Sequence, residues 1–96
     1  MQARISVRNA KVSEETKEHI NKVCDKLTHF CDDIVDCEVI VDRTKAGTSA
    51  EFIVKVPHQT LTASSCGENL FQALSEARDR VEIQLKKYHD KTVAHR

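Results

Sequence analysis

Over residues 3–9 apolar and polar positions alternate, with Ile5 and Val7 on one face and Arg4, Ser6 and Arg8 on the other. A period of two is that of a half-buried strand. Ser13 then stands before Glu14 and Glu15, an N-cap followed by acids where a helix start favours negative charge. Ile20, Val23, Cys24, Leu27 and either Phe30 or Cys31 recur at intervals of three and four, predicting an amphipathic helix. After Asp32-Asp33 the alternation returns. Cys37, Val39 and Val41 oppose Glu38, Ile40 and Asp42 over residues 36–43, and Ala50, Phe52, Val54 and Val56 oppose Glu51, Ile53 and Lys55 over 49–56. Residues 45–48, with Gly47, supply the turn between them. Pro57-His58-Gln59 closes the second of these strands, and Thr60 to Ser65 reads as a fourth, with Leu61 and Ala63 inward. The last quarter is the longest periodic segment. At ~100° per residue Leu70, Leu74, Ala77, Val81, Leu85 and Tyr88 fall in a stripe roughly 80° wide. Arg80, Lys87 and Lys91 line one shoulder of that stripe, Arg78 and His89 the other, and Lys86 points further towards solvent.

The order is therefore β-α-β-β-β-α, an α+β chain. A strand–helix–strand crossover in one sheet makes the first strand parallel to a neighbour, while short turns make the last three antiparallel. Each strand has one apolar face, so the expectation is a four-stranded sheet with two helices packed on one face. The other face stays open, presenting Arg4, Ser6, Arg8, Glu38, Ile40, Asp42, Glu51, Ile53, Lys55, Thr62 and Ser64.

Composition narrows this picture. The 96 residues are 40% hydrophobic, enough for a single domain, residues 1–96, burying roughly 60 to 65% of its unfolded surface. With no Trp, one Tyr and three Phe the core is aliphatic. The amino terminus has no unbroken apolar run of signal or membrane-spanning length, so a cytoplasmic protein with no membrane association is expected. Cys24, Cys31, Cys37 and Cys66 form no C-x-x-C pair, and in a reducing compartment they read as free thiols. The largely polar open sheet face favours a monomer.

Charge adds a direction. Lys plus Arg balance Asp plus Glu at 15 each, yet Arg4, Arg8 and Lys11 begin the chain without an acid, and Lys86, Lys87, Lys91 and Arg96 close it against Asp90 alone. Six acids gather between Asp32 and Glu51. The chain is a dipole along its sequence.

Catalysis has no visible seat. Gly47 and Gly67 are the only glycines, so there is no phosphate-cradling loop. Ser64-Ser65-Cys66-Gly67 lacks the first glycine of a nucleophile elbow. No catalytic residue, cofactor or small-molecule substrate is expected. His29, Cys31 and Cys37 are the best metal candidates, but Cys24 and Cys37 fit the core as small buried thiols, and no metal site is expected. RNA binding is the stronger chemical reading: a helix shoulder with Arg80, Lys87 and Lys91 can lie along a phosphate backbone. An aromatic stacking platform is missing from this reading, because Phe52 belongs to the core. A general double-stranded RNA-binding module, or a protein-interaction module using Ile40 and Ile53 on the open sheet, are the alternatives.

The element order, the run Lys22-Val23-Cys24-Asp25-Lys26-Leu27, and the closing Leu70-Phe71-Gln72-Ala73-Leu74 with Gln84-Leu85-Lys86-Lys87-Tyr88-His89-Asp90-Lys91 resemble the ribosome hibernation-promoting factor and ribosome-associated inhibitor family, also known as sigma-54 modulation proteins. Where that family has Asp-Leu-Tyr this chain has Asn69-Leu70-Phe71, Ser75 replaces a common acid, and His89 a frequent lysine. The chain ends shortly after the second helix, like the short form. The resemblance implies a non-enzymatic factor that binds the small ribosomal subunit and its rRNA in the messenger and transfer RNA channel, inhibiting translation by steric occlusion under stress. It carries RNA contacts onto Lys22 and Lys26 of the first helix and Arg80, Lys86, Lys87 and Lys91 of the second. Strand alternation adds Arg4 and Arg8.

Overall fold

Four strand-length alternations and two amphipathic runs assemble as the pattern dictates. The computed structural model describes residues 3–94, with side chains as far as Asp90. In order these are β1 (Arg4–Arg8), α1 (Glu14–Phe30), β2 (Asp36–Thr44), β3 (Gly47–Val56), β4 (Gln59–Gly67) and α2 (Leu70–Ala94). The sheet runs β1-β2-β3-β4. β1 lies parallel to β2, with Ile5 opposite Val39, and the other two pairings are antiparallel, with Val39 opposite Phe52 and Phe52 opposite Ala63.

Local chemistry fixes the joints. The Ser13 hydroxyl accepts from the Thr16 N–H at 3.1 Å, satisfying one of the donors that a helix start leaves free. At the other end the Cys31 N–H returns to the Leu27 carbonyl. The β2–β3 turn is tighter than expected: Gly47 already pairs with Thr44, leaving Lys45 and Ala46 as the loop. Gly47 has φ +139°, and a Cβ there would strike the Gly67 carbonyl oxygen on β4, so this position needs glycine for both reasons. β4 begins at Gln59 and runs two residues past the expected end to Gly67. Ser65, inward by the same alternation, donates its hydroxyl to Glu76 of α2 at 2.5 Å.

The core lies between the sheet and both helices. α1 contributes Ile20, Val23, Cys24 and Leu27; β2 and β3 contribute Cys37, Val39, Val41, Ala50, Phe52, Val54 and Val56. The α2 seam of Leu74, Ala77, Val81 and Leu85 is buried, with Leu70 and Tyr88 half-buried at its ends, and Ala73 joins it. Phe52 is fully buried, as its alternation predicts. α1 covers the β1–β2 side, where Asn21 accepts from the Ala3 N–H at 3.2 Å and Cys24 meets Cys37. α2 covers β3 and β4. No helix among the described residues is long and apolar enough to cross a membrane.

Candidate nucleic-acid interface

The two helices run side by side in the same direction. His19 of α1 meets Phe71 of α2 edge to face, ring centroids 5.4 Å apart and planes at 68°, and about three turns further on Phe30 of α1 shares a hollow with Ile83 and Lys86 of α2. Lys22 and Lys26 project from the outer surface of α1, and Lys86 from that of α2; all three are exposed. They form one basic group, on the side of the molecule away from the open sheet face.

The other candidates lie elsewhere. Arg80 and Lys87 occupy the opposite shoulder of α2, over the free edge of β4. There Arg80 donates to the Ser64 carbonyl and Gln84 to the Thr62 carbonyl, each at 2.6 Å, while Lys87 and Tyr88 stand beside Gln59 and Leu61. The backbone of Lys91 continues α2, but its side chain lies outside the described residues. Arg4 and Arg8 project from β1 on the open face of the sheet. Arg4 is bound to Asp36 and lies 3.9 Å from Glu38. The hydrogen bond from Arg4 holds the Asp36 carboxyl below the usual carboxylate range, and the same contact raises the Arg4 guanidinium above its ordinary value. Arg8 lines a hollow of about 430 Å³ with Asp42 and Glu51, into which Arg80 reaches from the opposite edge.

Folding does not turn the dipole of the sequence into one in space: both helices carry acids as well as cations, and the open face mixes carboxylates with Arg4, Arg8 and Lys55. Strand alternation aims Asp36, Glu38, Asp42 and Glu51 at the open face, and Asp42 is further engaged by the Asn9 amide at 3.0 Å. Ile40 and Ile53 are both half-buried among these charges, which leaves little apolar surface there for a protein partner.

Two aromatic rings change the expected chemistry. Phe30 is 47% exposed and Phe71 56% exposed, both on the helical surface. The open sheet face carries no aromatic ring, as expected, but the helices expose two. Cys31, not Phe30, completes the buried stripe of α1. The proposed metal ligands separate correspondingly: the Cys37 thiol lies in the core 3.4 Å from Cys24, His29 is exposed, and no group of three or more His, Cys, Asp or Glu side chains is placed to hold a metal among the described residues.

Residues 3–93 match the family described as sigma 54 modulation protein / S30EA ribosomal protein. The chain belongs to this family. As an S30EA-family chain it is a binding factor and not an enzyme. It is 22% identical over 96 residues to ribosome-associated factor Y of Haemophilus influenzae, covering 100% of this chain and 90% of that protein. With the ribosome hibernation promoting factor of Pseudomonas putida it shares 23% over 91 residues, 95% of this chain and 89% of the relative. Its fold matches a ribosomal subunit interface protein from Coxiella burnetii with a TM-score of 0.86 at 20% identity, covering 94% and 99% of the two chains. The Thermus thermophilus Protein Y N-terminal domain gives 0.81 at 20% identity, covering 92% and 99%.

Proposed function

We propose that this S30EA-family chain is a ribosome hibernation factor of the cytoplasm that binds the small ribosomal subunit as a monomer. It lies in the channel used by messenger and transfer RNA and silences idle ribosomes by filling that space. Lys22, Lys26 and Lys86 contact rRNA phosphates from the helical surface, and Arg80, Lys87 and Lys91 form a second basic strip along the other shoulder of α2. Arg4, already neutralised by Asp36, contributes least, and Arg8 contacts RNA only at the margin.

The observation that carries this reading is the match of residues 3–93 to the S30EA family. Lys22 and Lys26 of α1 and Lys86 of α2 stand exposed on the outer helical surface, where they can meet phosphates. No catalytic group is required, since occlusion and phosphate contacts do the work.

Sedimentation with purified small subunits through sucrose gradients tests it. The chain co-sediments at low salt, and its affinity falls linearly on a log–log plot against salt as phosphates are neutralised. A free RNA duplex that competes as well as the subunit would instead make this a general duplex binder and overturn the ribosomal reading.

A further inference from the structure

Two of the three exposed large apolar side chains on the described helices stand together, while the third, Phe71, lies apart against His19. Phe30 and Ile83 line one hollow of about 320 Å³ between the end of α1 and the third turn of α2, with Asp79, Glu82 and Lys86 completing its wall. Lys26 stands one turn before Phe30 on the same face of α1 and is also exposed. An aromatic face between two lysines is the arrangement that holds single-stranded nucleic acid, in which a base stacks on the ring while its phosphates meet the cations.

The two acids at first oppose a polyanion, but Arg78 sits against both. Its guanidinium donates to Asp79 at 3.0 Å and lies 3.8 Å from Glu82. One guanidinium offsets one of their two charges, and Lys86 lines the same hollow, while each carboxylate retains oxygen lone pairs beyond those that Arg78 uses. Such acceptors beside a stacking ring select bases that offer an exocyclic amino group. Adenine, cytosine and guanine do so; uracil has only carbonyl oxygens in those places.

We propose that this hollow is a base-binding site, in which Phe30 stacks on one unpaired amino-bearing base of RNA (adenine, cytosine or guanine, not uracil), Asp79 or Glu82 accepts from its amino group, and Lys26 and Lys86 hold the flanking phosphates. The proposal deepens the ribosomal reading above and rests on it for the identity of the RNA, not for the chemistry of the site. It differs from phosphate contact in kind: stacking releases no counterion, so its contribution does not fade with salt as a lysine's does.

The test uses the full chain with short single-stranded oligoadenylate, oligocytidylate and oligouridylate, followed by fluorescence anisotropy of labelled RNA and by amide and side-chain NMR shifts. Expected are tighter binding of the first two than of oligouridylate and shift changes at Phe30 and Ile83. Phe30→Leu, which keeps apolar bulk and removes the π-face, weakens binding by roughly five- to a hundredfold, and Phe30→Tyr restores it. With small subunits Phe30→Leu lowers affinity while leaving the salt slope at its wild-type value. Phe30→Leu binding all three oligomers as tightly as wild type overturns the proposal. So does a loss of subunit affinity in Phe30→Leu when no oligomer binds at the hollow, because the hollow then serves a protein partner. Base discrimination that depends on Phe30 in a chain that fails to bind subunits supports the site and sinks the ribosomal reading instead, so the two fail separately.

Discussion

Arg80 of α2 donates a hydrogen bond of 2.6 Å to the backbone carbonyl of Ser64 on β4. One turn along α2, Gln84 does the same for Thr62. β4 is the last strand of the sheet, and its outward carbonyls would otherwise offer a template for another strand. α2 thus supplies both the packing for β4 and the caps for its free edge. Arg80 is in part a structural residue, whatever it contributes to RNA.

Replacing that pair separates the two roles. Arg80→Ala with Gln84→Ala frees two edge carbonyls and is expected to cost about 1 to 2 kcal/mol in urea unfolding, since each exposed hydrogen bond contributes about 1 kcal/mol or less. The double variant should also self-associate at high concentration, measured by light scattering. Arg80→Gln, which retains a donor, should lose subunit affinity without gaining self-association. If both variants remain monomeric and as stable as wild type, the capping role is absent.

The thiols give a second measurement. Cys24, Cys31 and Cys37 are buried and Cys66 is exposed on the open face. The hydrogen bond with Cys37, together with burial, pushes the Cys24 thiol up, which suppresses the reactive thiolate. A disulfide-exchanging reagent should therefore modify Cys66 alone in the native protein and all 4 cysteines in denaturant. Cys66→Ser should abolish the fast phase. A second fast-reacting thiol in the native state would contradict the packing of α1 on β2.

Much of this was legible in the sequence, for physical reasons that also explain what was not. Strand alternation has a period of two, so a single apolar face fixes every inward residue, and Cys37, Val39, Phe52 and Val54 were placed that way. The N-cap at Ser13 follows from local hydrogen bonding alone. The end of α1 was ambiguous because Phe30 and Cys31 lie three and four residues after Leu27, both helical spacings. The wheel resolves it: Cys31 falls nearer than Phe30 to the centre of the Ile20, Val23, Cys24 and Leu27 stripe. Phe71 is visible by the same device, standing well off the α2 seam. What a wheel cannot show is the neighbour beyond each shoulder. Arg80 reads as a shoulder position and Lys86 as a solvent-facing one, yet Arg80 overhangs the β4 edge and Lys86 borders the hollow between the helices. That difference is set by where α2 crosses the sheet, a tertiary fact. The extension of β4 to Gly67 is likewise hidden, because Cys66 and Gly67 carry no strong strand signal and are held by pairing with Ser49 and Thr48 of β3.

The Arg4–Asp36 contact predicts a small acid-side effect. Asp36 is held below the usual carboxylate range by Arg4. A depressed folded value means that its stabilisation is fully present above the unfolded value of about 3.9 and is lost as pH falls through the lower folded value. Because the pair is open to solvent, screening keeps the effect modest and salt weakens it further. Asp36→Asn should melt slightly below wild type at neutral pH and low salt. The two curves should converge at the acid end, and a difference that persists there would assign the loss to something other than this charge.

The lysines of the helical surface make the sharpest claim about binding. If Lys26 and Lys86 each neutralise one rRNA phosphate, replacing both with Gln removes two released counterions, and the log–log salt slope for subunit binding should flatten by roughly 1.5 to 2. Stability should hardly change, because both side chains are exposed and neither takes part in an observed ion pair among the described residues. Arg4→Gln is the contrast. Its guanidinium is already committed to Asp36, so the slope should stay near wild type while the acid-side melting behaviour shifts towards that of Asp36→Asn. The outcome that sinks the assignment is the reverse: an unchanged slope for Lys26→Gln with Lys86→Gln, and a flattened one for Arg4→Gln. RNA would then be meeting the sheet face, past its four carboxylates, and not the helical surface.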